Sequence, residues 1–319
     1  MKICFLSSFN AVCGIADTTL SLASGLRDFG NQIRILANIP YGQKTDPHCQ
    51  NFNVREVFEV TLQSHKRFFD VDGAVEFVKD CDVLHVQFES ALYIQELLET
   101  FLSRVKQLGI PIFVTLHSSC IWPNLNFGLF NGRVTPNKKL AQIYDATYIP
   151  HGVPEVPYAP PPKGEYKLVS FGLGRNQDET VNSTVAELVR EGWKIKFETL
   201  YGHHKWTPQY QLYEWVRQAN AVVLYYPEQG AIVTSSACAV ALGCGRPVIA
   251  SKTSWFDDYD YAMVKKVESE DTLKRAIIDS VQMDFETQKQ HTQQLQNERG
   301  WGVVAKKYLE VYKSIICKK

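Results

Sequence analysis

The sequence has no excess of charge of either sign: 34 Lys and Arg stand against 34 Asp and Glu. A globally basic surface is excluded, which disfavours nucleic acid as a partner while leaving local contacts at Lys138-Lys139 and Lys265-Lys266 open. No apolar run is long enough to span a membrane. The first one, Ile3 to Leu6, is also too short for the core of a secretory signal and runs into Ser7-Ser8. The expectation is a cytoplasmic protein, with peripheral membrane contact left open. The eight cysteines include no C-x-x-C pair, so zinc spacing is missing. In a cytosolic chain they are expected as free, small apolar residues rather than disulfides. The G-x-G-x-x-G fingerprint is absent too, and with it the case for a dinucleotide dehydrogenase. There is no internal repeat and no low-complexity segment.

What is present is alternation of buried strands and helices. Lys2 to Ser7 reads as a strand, Ser8 to Gly14 as a loop, Ile15 to Phe29 as a helix closed by Gly30, and Gln32 to Ala37 as a second strand. This is a βαβ unit, the opening of a Rossmann-like domain. After a variable stretch, 40–70, a helix at Val71 to Lys79 leads to a strand, Asp82 to Glu89. A helix at Leu92 to Leu108 then precedes a strand ending at Leu116. These two strands deliver His85, Gln87, Glu89 and His117 towards one end of a sheet. Residues 152–164 are proline-dense, the composition of a linker. A second alternation follows: strand Tyr166 to Phe171, glycine turn Gly172 to Arg175, helix Thr180 to Glu191, strand Lys194 to Thr199 and helix Gln209 to Gln218.

The most informative stretch is Ala221 to Ser251. An apolar run, Ala221 to Leu224, reads as a strand buried on both faces. A polar turn containing Glu228 and Gly230 follows. Thr234-Ser235-Ser236 then starts a small-residue helix that Gly243-Cys244-Gly245 stops, before the next buried strand at Pro247 to Ala250. A hydroxyl-bearing cap leaves backbone N–H groups and the positive helix pole facing outward at the carboxyl edge of the sheet, a place that suits a phosphate.

Seven pieces in this order resemble the GT-B glycosyltransferases, most of all the retaining family-4 group. They are KICFLSSFNAVCGIADTTLSLASGL, DVLHVQFE, PIFVTLHSS, YIPHGV, LVSFGLGR, the strand before PEQG, and ALGCGRPVIAS. The terminal WGVVAKKYLEVYKSI is similar to the family's last helix, which often crosses back to the first domain.

The resemblance implies an α/β fold of two Rossmann-like domains facing each other across a cleft. An acceptor-side domain would be 1–151, a linker 152–164, a nucleotide-sugar domain 165–300, and the closing helix 301–319. It implies a glycosyltransferase that takes a nucleotide diphosphate sugar as co-substrate, retains configuration, needs no cofactor or metal, and acts on an acceptor the sequence does not name. The resemblance gives Gly14 an approach to the donor phosphates, places His117 beside the reacting sugar, and sets Arg175, Gly230 and Thr234-Ser235-Ser236 at the diphosphate. Glu228 stands as a catalytic carboxylate only through a shifted loop. His85, Gln87 and Glu89 are the acceptor-side residues.

The sequence departs from the pattern at three places. No lysine follows Arg175, Val240 and Ile232 occupy the positions of the paired glutamates, and the chain is short between residues 120 and 148. Two other readings therefore stand beside the enzyme: a catalytically silent nucleotide- or glycan-binding module, and a phage-type transferase acting on modified DNA bases. The D-x-D triplets Asp70 to Asp72 and Asp258 to Asp260 are expected as helix caps or solvated loops rather than metal ligands. The stretch from Phe256 to Tyr261 is expected as a loop over the donor base, and His203-His204 as loop residues.

Overall fold

The computed structural model describes the chain apart from residues 10, 12, 41–50, 61–67, 173–176, 202–206, 229 and 318–319. Its contacts divide into two units: Met1–Pro150 with Ala231–Val233 and Trp301–Lys319, and His151–Gly230 with Thr234–Gly300.

The first unit opens with β1 (Lys2–Ser7), α1 (Gly14–Asp28), β2 (Gln32–Asn38), β3 (Asn53–Phe58) and α2 (Val71–Val78). It continues through β4 (Val83–Phe88), α3 (Gln95–Gln107), β5 (Ile112–Leu116), β6 (Gly132–Thr135), α4 (Lys138–Ile143) and β7 (Thr147–Tyr148). The seven strands form one parallel sheet in the order β3-β2-β1-β4-β5-β6-β7. Every residue of β4 and β5 is buried, and both are apolar apart from His85, Gln87 and Thr115, as strands covered on both faces tend to be. Strand alternation sends Leu84, Val86 and Phe88 into the core under α2 and α3. His85 and Gln87 go to the other face, with Val83. The sequence pattern missed three strands of this sheet: β6, four residues of which only Val134 and Thr135 are buried, and the edge strands β3 and β7. β3 is buried only at its last two residues, and β7 has two residues, neither of them buried, so neither carries a buried-strand signature.

The second unit holds β8 (Tyr166–Gly172), α5 (Asp178–Arg190), β9 (Ile195–Tyr201), α6 (Gln209–Arg217), β10 (Ala221–Leu224) and α7 (Ser236–Gly243). Then come β11 (Val248–Ser251), β12 (Val264–Val267), α8 (Glu270–Gln282) and α9 (Phe285–Arg299). Its parallel sheet runs β12-β11-β10-β8-β9, with β10 and β11 wholly buried.

The proline-dense stretch packs on this unit. Gln296 Nε2 donates to the carbonyls of Pro154, Val156 and Gly243 at 3.3, 2.8 and 3.0 Å. Gly243 lies so close that a Cβ there would stand 2.5 Å from Pro154 Cδ. Arg246, 0% exposed, meets no carboxylate among the described residues. Its guanidinium donates to the carbonyls of Ala159 (2.5 Å), Arg217 (2.7 Å) and Gly245 (3.0 Å) and lies over the Tyr158 ring. Burial pulls its pKa down, and three carbonyl dipoles replace the water that it gave up.

The last helix, α10 (Trp301–Ile316), belongs to the first unit and packs on α1. Gly25 permits the approach: a Cβ there would stand 3.0 Å from both Ala305 Cβ and the Trp301 carbonyl oxygen.

Candidate functional site

In the second unit the strand order reverses between β8 and β10, and open α/β sheets bind ligands at the carboxyl ends of such strands. The chain leaves β10 there and α7 begins after it. The cap is Ser235, the middle hydroxyl of the three: it is 3% exposed, and its Oγ accepts from the Cys238 N–H at 3.3 Å. Its own backbone is held from both sides, N–H to the Trp255 carbonyl at 3.1 Å and carbonyl from the Tyr259 hydroxyl at 2.6 Å. The N–H groups of Ser236 and Ala237, the first two helical residues, find no acceptor among the described residues. A rigidly seated helix start with two such donors has the chemistry to receive an anion.

Around it, the Tyr226 N–H donates to Ser251 Oγ at 3.0 Å, tying the ends of β10 and β11 together. Glu228 is spanned to the next loop: Ser254 donates to it through N–H and hydroxyl, and Gly230 N–H does the same, all at 3.3 Å. Gly230 has φ +70°, a left-handed conformation that an L side chain would strain. Thr234 precedes the cap. Arg175, His203 and His204 lie outside the described residues. The donor-base expectation for Phe256 to Tyr261 is corrected. Phe256 and Tyr259 are 0% exposed and pack in the core of this unit, because the short 3-10 turn Ser254–Phe256 folds its ring inward. The sequence reading missed Ser254 and Trp255, whose signal was a hydroxyl and an aromatic just beyond a buried strand.

In the first unit, His117 follows β5 and its Nε2 lies 2.6 Å from Gln87 Oε1. Gln87 is 0% exposed. The hydroxyl of Tyr93 bridges the carbonyls of Leu6 and Gln87 at 3.2 and 3.0 Å, locking the ends of β1 and β4. Gly14 is the first residue of α1. The cap is Cys13, whose sulfur accepts from the Ala16 N–H at 3.4 Å and meets the Ser8 hydroxyl at 3.1 Å. Burial pushes that thiol's pKa up. Glu89 stands just past β4, beside the Ser90 hydroxyl at 3.5 Å. Ala231–Val233 also belongs to this unit: Ser119 N–H donates to the Ile232 carbonyl and Ile232 N–H to Ser119 Oγ, each at 2.9 Å.

His85 is corrected as an acceptor-side residue. It is 0% exposed, with Nδ1 on the Tyr312 hydroxyl and Nε2 2.8 Å from Thr115 Oγ1. Thr115 in turn meets Tyr308 at 3.2 Å, so the network anchors α10 to the sheet. Burial, and then the charge of His117, hold the His85 pKa down at about 3. Burial likewise lowers His151 to about 4. A histidine kept neutral in the folded state destabilises it in acid. Below about pH 6.5 the unfolded chain binds a proton that the folded chain refuses until its own, lower pKa. Stability is therefore expected to fall as pH drops from about 6.5 towards 4, by up to ~1.4 kcal/mol per pH unit for each of the two groups. Denaturant midpoints measured across that window check this; a flat profile would contradict the burial of neutral rings.

Asp70 caps α2 by accepting from the Gly73 N–H at 2.9 Å, and Asp72 pairs with Arg104 at 2.6 Å. Among the described residues, no three His, Cys, Asp or Glu side chains gather as a metal site.

No protein-family model matches the sequence, and no curated protein does. Solved structures match over nearly the whole chain. Alr3699/HepE of Anabaena, in complex with UDP and glucose, is 13% identical with a TM-score of 0.66, covering 98% of this chain and 100% of that one. An alpha-glucosyltransferase in complex with UDP and a 13-mer DNA containing a central A:G mismatch is 11% identical, TM-score 0.64, covering 98% and 100%. TarM is 10% identical, TM-score 0.63, covering 98% of each chain. Two parallel α/β sheets in this order, matched along their full length to these proteins, give the chain the fold of the GT-B glycosyltransferases.

Proposed function

We propose that this protein is a glycosyltransferase that moves a sugar from a nucleoside diphosphate sugar to an acceptor hydroxyl, with retention of configuration and without a resident metal. The C1–O bond to the diphosphate breaks, the acceptor oxygen bonds to C1, and the acceptor proton leaves with the phosphate. The observation that carries this reading is the full-length fold match to a structure holding UDP and glucose. The start of α7 supports it. The leaving diphosphate gains negative charge, and the free N–H groups of Ser236 and Ala237 with the helix pole would stabilise that charge most in the transition state. In this reading Arg175, Gly230 and Thr234 serve the same diphosphate, and Glu228 shapes the loop through Ser254.

The DNA-bound alpha-glucosyltransferase supports one second reading of the acceptor, DNA, in line with the modified base considered from the sequence; the balanced charge of the chain weighs against it. The experiment is a panel of UDP-, GDP- and ADP-sugars incubated with the protein alone, then with DNA carrying hydroxymethylated bases. Slow hydrolysis of one donor is expected. Nucleotide binding without turnover of any donor would leave a silent binding module, and neither binding nor turnover would overturn both.

A further inference from the structure

Gln87 is buried at the carboxyl end of β4, and it faces His117 with only half of its amide engaged. Oε1 lies 2.6 Å from His117 Nε2, while Nε2 of the amide is buried and finds no partner among the described residues. A buried amide left half unsatisfied is a standing penalty in a folded protein. Around it the strand end is held by the Tyr93 hydroxyl at the carbonyls of Leu6 and Gln87, and by the His117 N–H at the Phe88 carbonyl, 3.3 Å away. The retained contact is the one to the imidazole.

Resting on the proposed function and on the place beside the reacting sugar that the family resemblance implies for His117, we infer that Gln87 is the positioning residue of His117. Its carboxamide oxygen holds the ring as the Nε2–H tautomer and so presents Nδ1 as a hydrogen-bond acceptor for a sugar hydroxyl. A carboxylate in this place would stabilise the imidazolium; a neutral amide orients the ring without charging it. His85 on the same strand is neutral above about pH 3, Tyr308 of α10 is pushed up to about 12, and Tyr312 is raised well above its usual range, all by burial. At the start of α1, Cys13 is raised by burial, with Asp17 one turn on. Glu89 lies two residues past Gln87 in the chain, just beyond β4.

The test begins with the wild-type full chain. Nitrogen-15 NMR of the His117 ring, assigned by its loss in His117→Asn, is expected to show a protonated Nε2 and a bare Nδ1 at neutral pH; the opposite tautomer overturns the inference. Gln87→Glu is expected to raise the His117 titration midpoint by about a pH unit or more and to move the acid limb of kcat/KM with it. Gln87→Leu is expected to lower kcat by roughly tenfold or more with donor KM held within about twofold. A residue that only fills space would lower the melting temperature in Gln87→Leu while leaving kcat and the Gln87→Glu titration unmoved, and that result also overturns the inference. If the variants do not fold, the wild-type tautomer decides. If no donor is turned over, the proposed function fails, while the tautomer and titration still judge Gln87.

Discussion

Ser236→Asp is expected to lower affinity for UDP roughly a hundredfold while leaving the fold intact or slightly more stable. Ser236 is the first residue of α7 and only half-buried, so its side chain has room to carry charge. A carboxylate in a first turn interacts favourably with the helix pole, worth about 0.3–1 kcal/mol. The same charge would meet an arriving diphosphate at a distance of about 5 Å. At an effective dielectric of about 20, each unit of like charge there costs ~3 kcal/mol. The repulsion should shrink as salt screens it. The two effects have opposite signs, and that makes the variant informative: a simple capped helix would gain stability with no change in binding. Ser235 is the wrong place for this experiment, because it is 3% exposed and its hydroxyl already holds the Cys238 N–H. Calorimetric titration with UDP, GDP and ADP measures the first effect, and thermal unfolding the second. Undiminished affinity for the nucleotide that the wild type binds would remove the phosphate cradle from the proposed mechanism.

His117→Ala is expected to lower kcat by roughly a hundredfold, the order of a lost transition-state hydrogen bond of about 2.7–4 kcal/mol. It should also cost stability, by about 1–3 kcal/mol, because Oε1 of the buried Gln87 loses its donor. Activity must therefore be measured well below the melting point of the variant. His117→Gln separates the two effects: an amide restores a donor to Gln87 and so recovers stability, yet offers a different acceptor to the sugar and so leaves kcat low. Recovery of both together would make His117 a structural residue of the β5 end.

Much of this molecule was legible because parallel strands buried on both faces carry their own signature. The runs at β1, β4, β5, β10 and β11 are predominantly apolar for the same reason that the structure buries them, with His85 and Gln87 of β4 among the polar exceptions. The cap at Thr234-Ser235-Ser236 was visible as a cluster, but which hydroxyl caps depends on where Trp255 and Tyr259 grip the backbone, from a loop some twenty residues away. The two histidines were indistinguishable in sequence, each on or just after a buried strand. Only packing separated them. α10, from the far end of the chain, brings Tyr308 and Tyr312 down on His85, while His117 stays at the strand end, where Gln87 holds it.

By itself the sequence determined the alternation of its most buried strands with the helices between them, and where those strands end, because these follow from periodicity and from local backbone preferences. The tertiary structure decided which polar residues are spent on holding the fold and which are left to act. That division depends on long-range partners: Tyr312 for His85, three backbone carbonyls for Arg246, Ser254 for Glu228. A buried polar group must find its hydrogen bonds wherever the fold supplies them, and no local pattern in the chain encodes who supplies them.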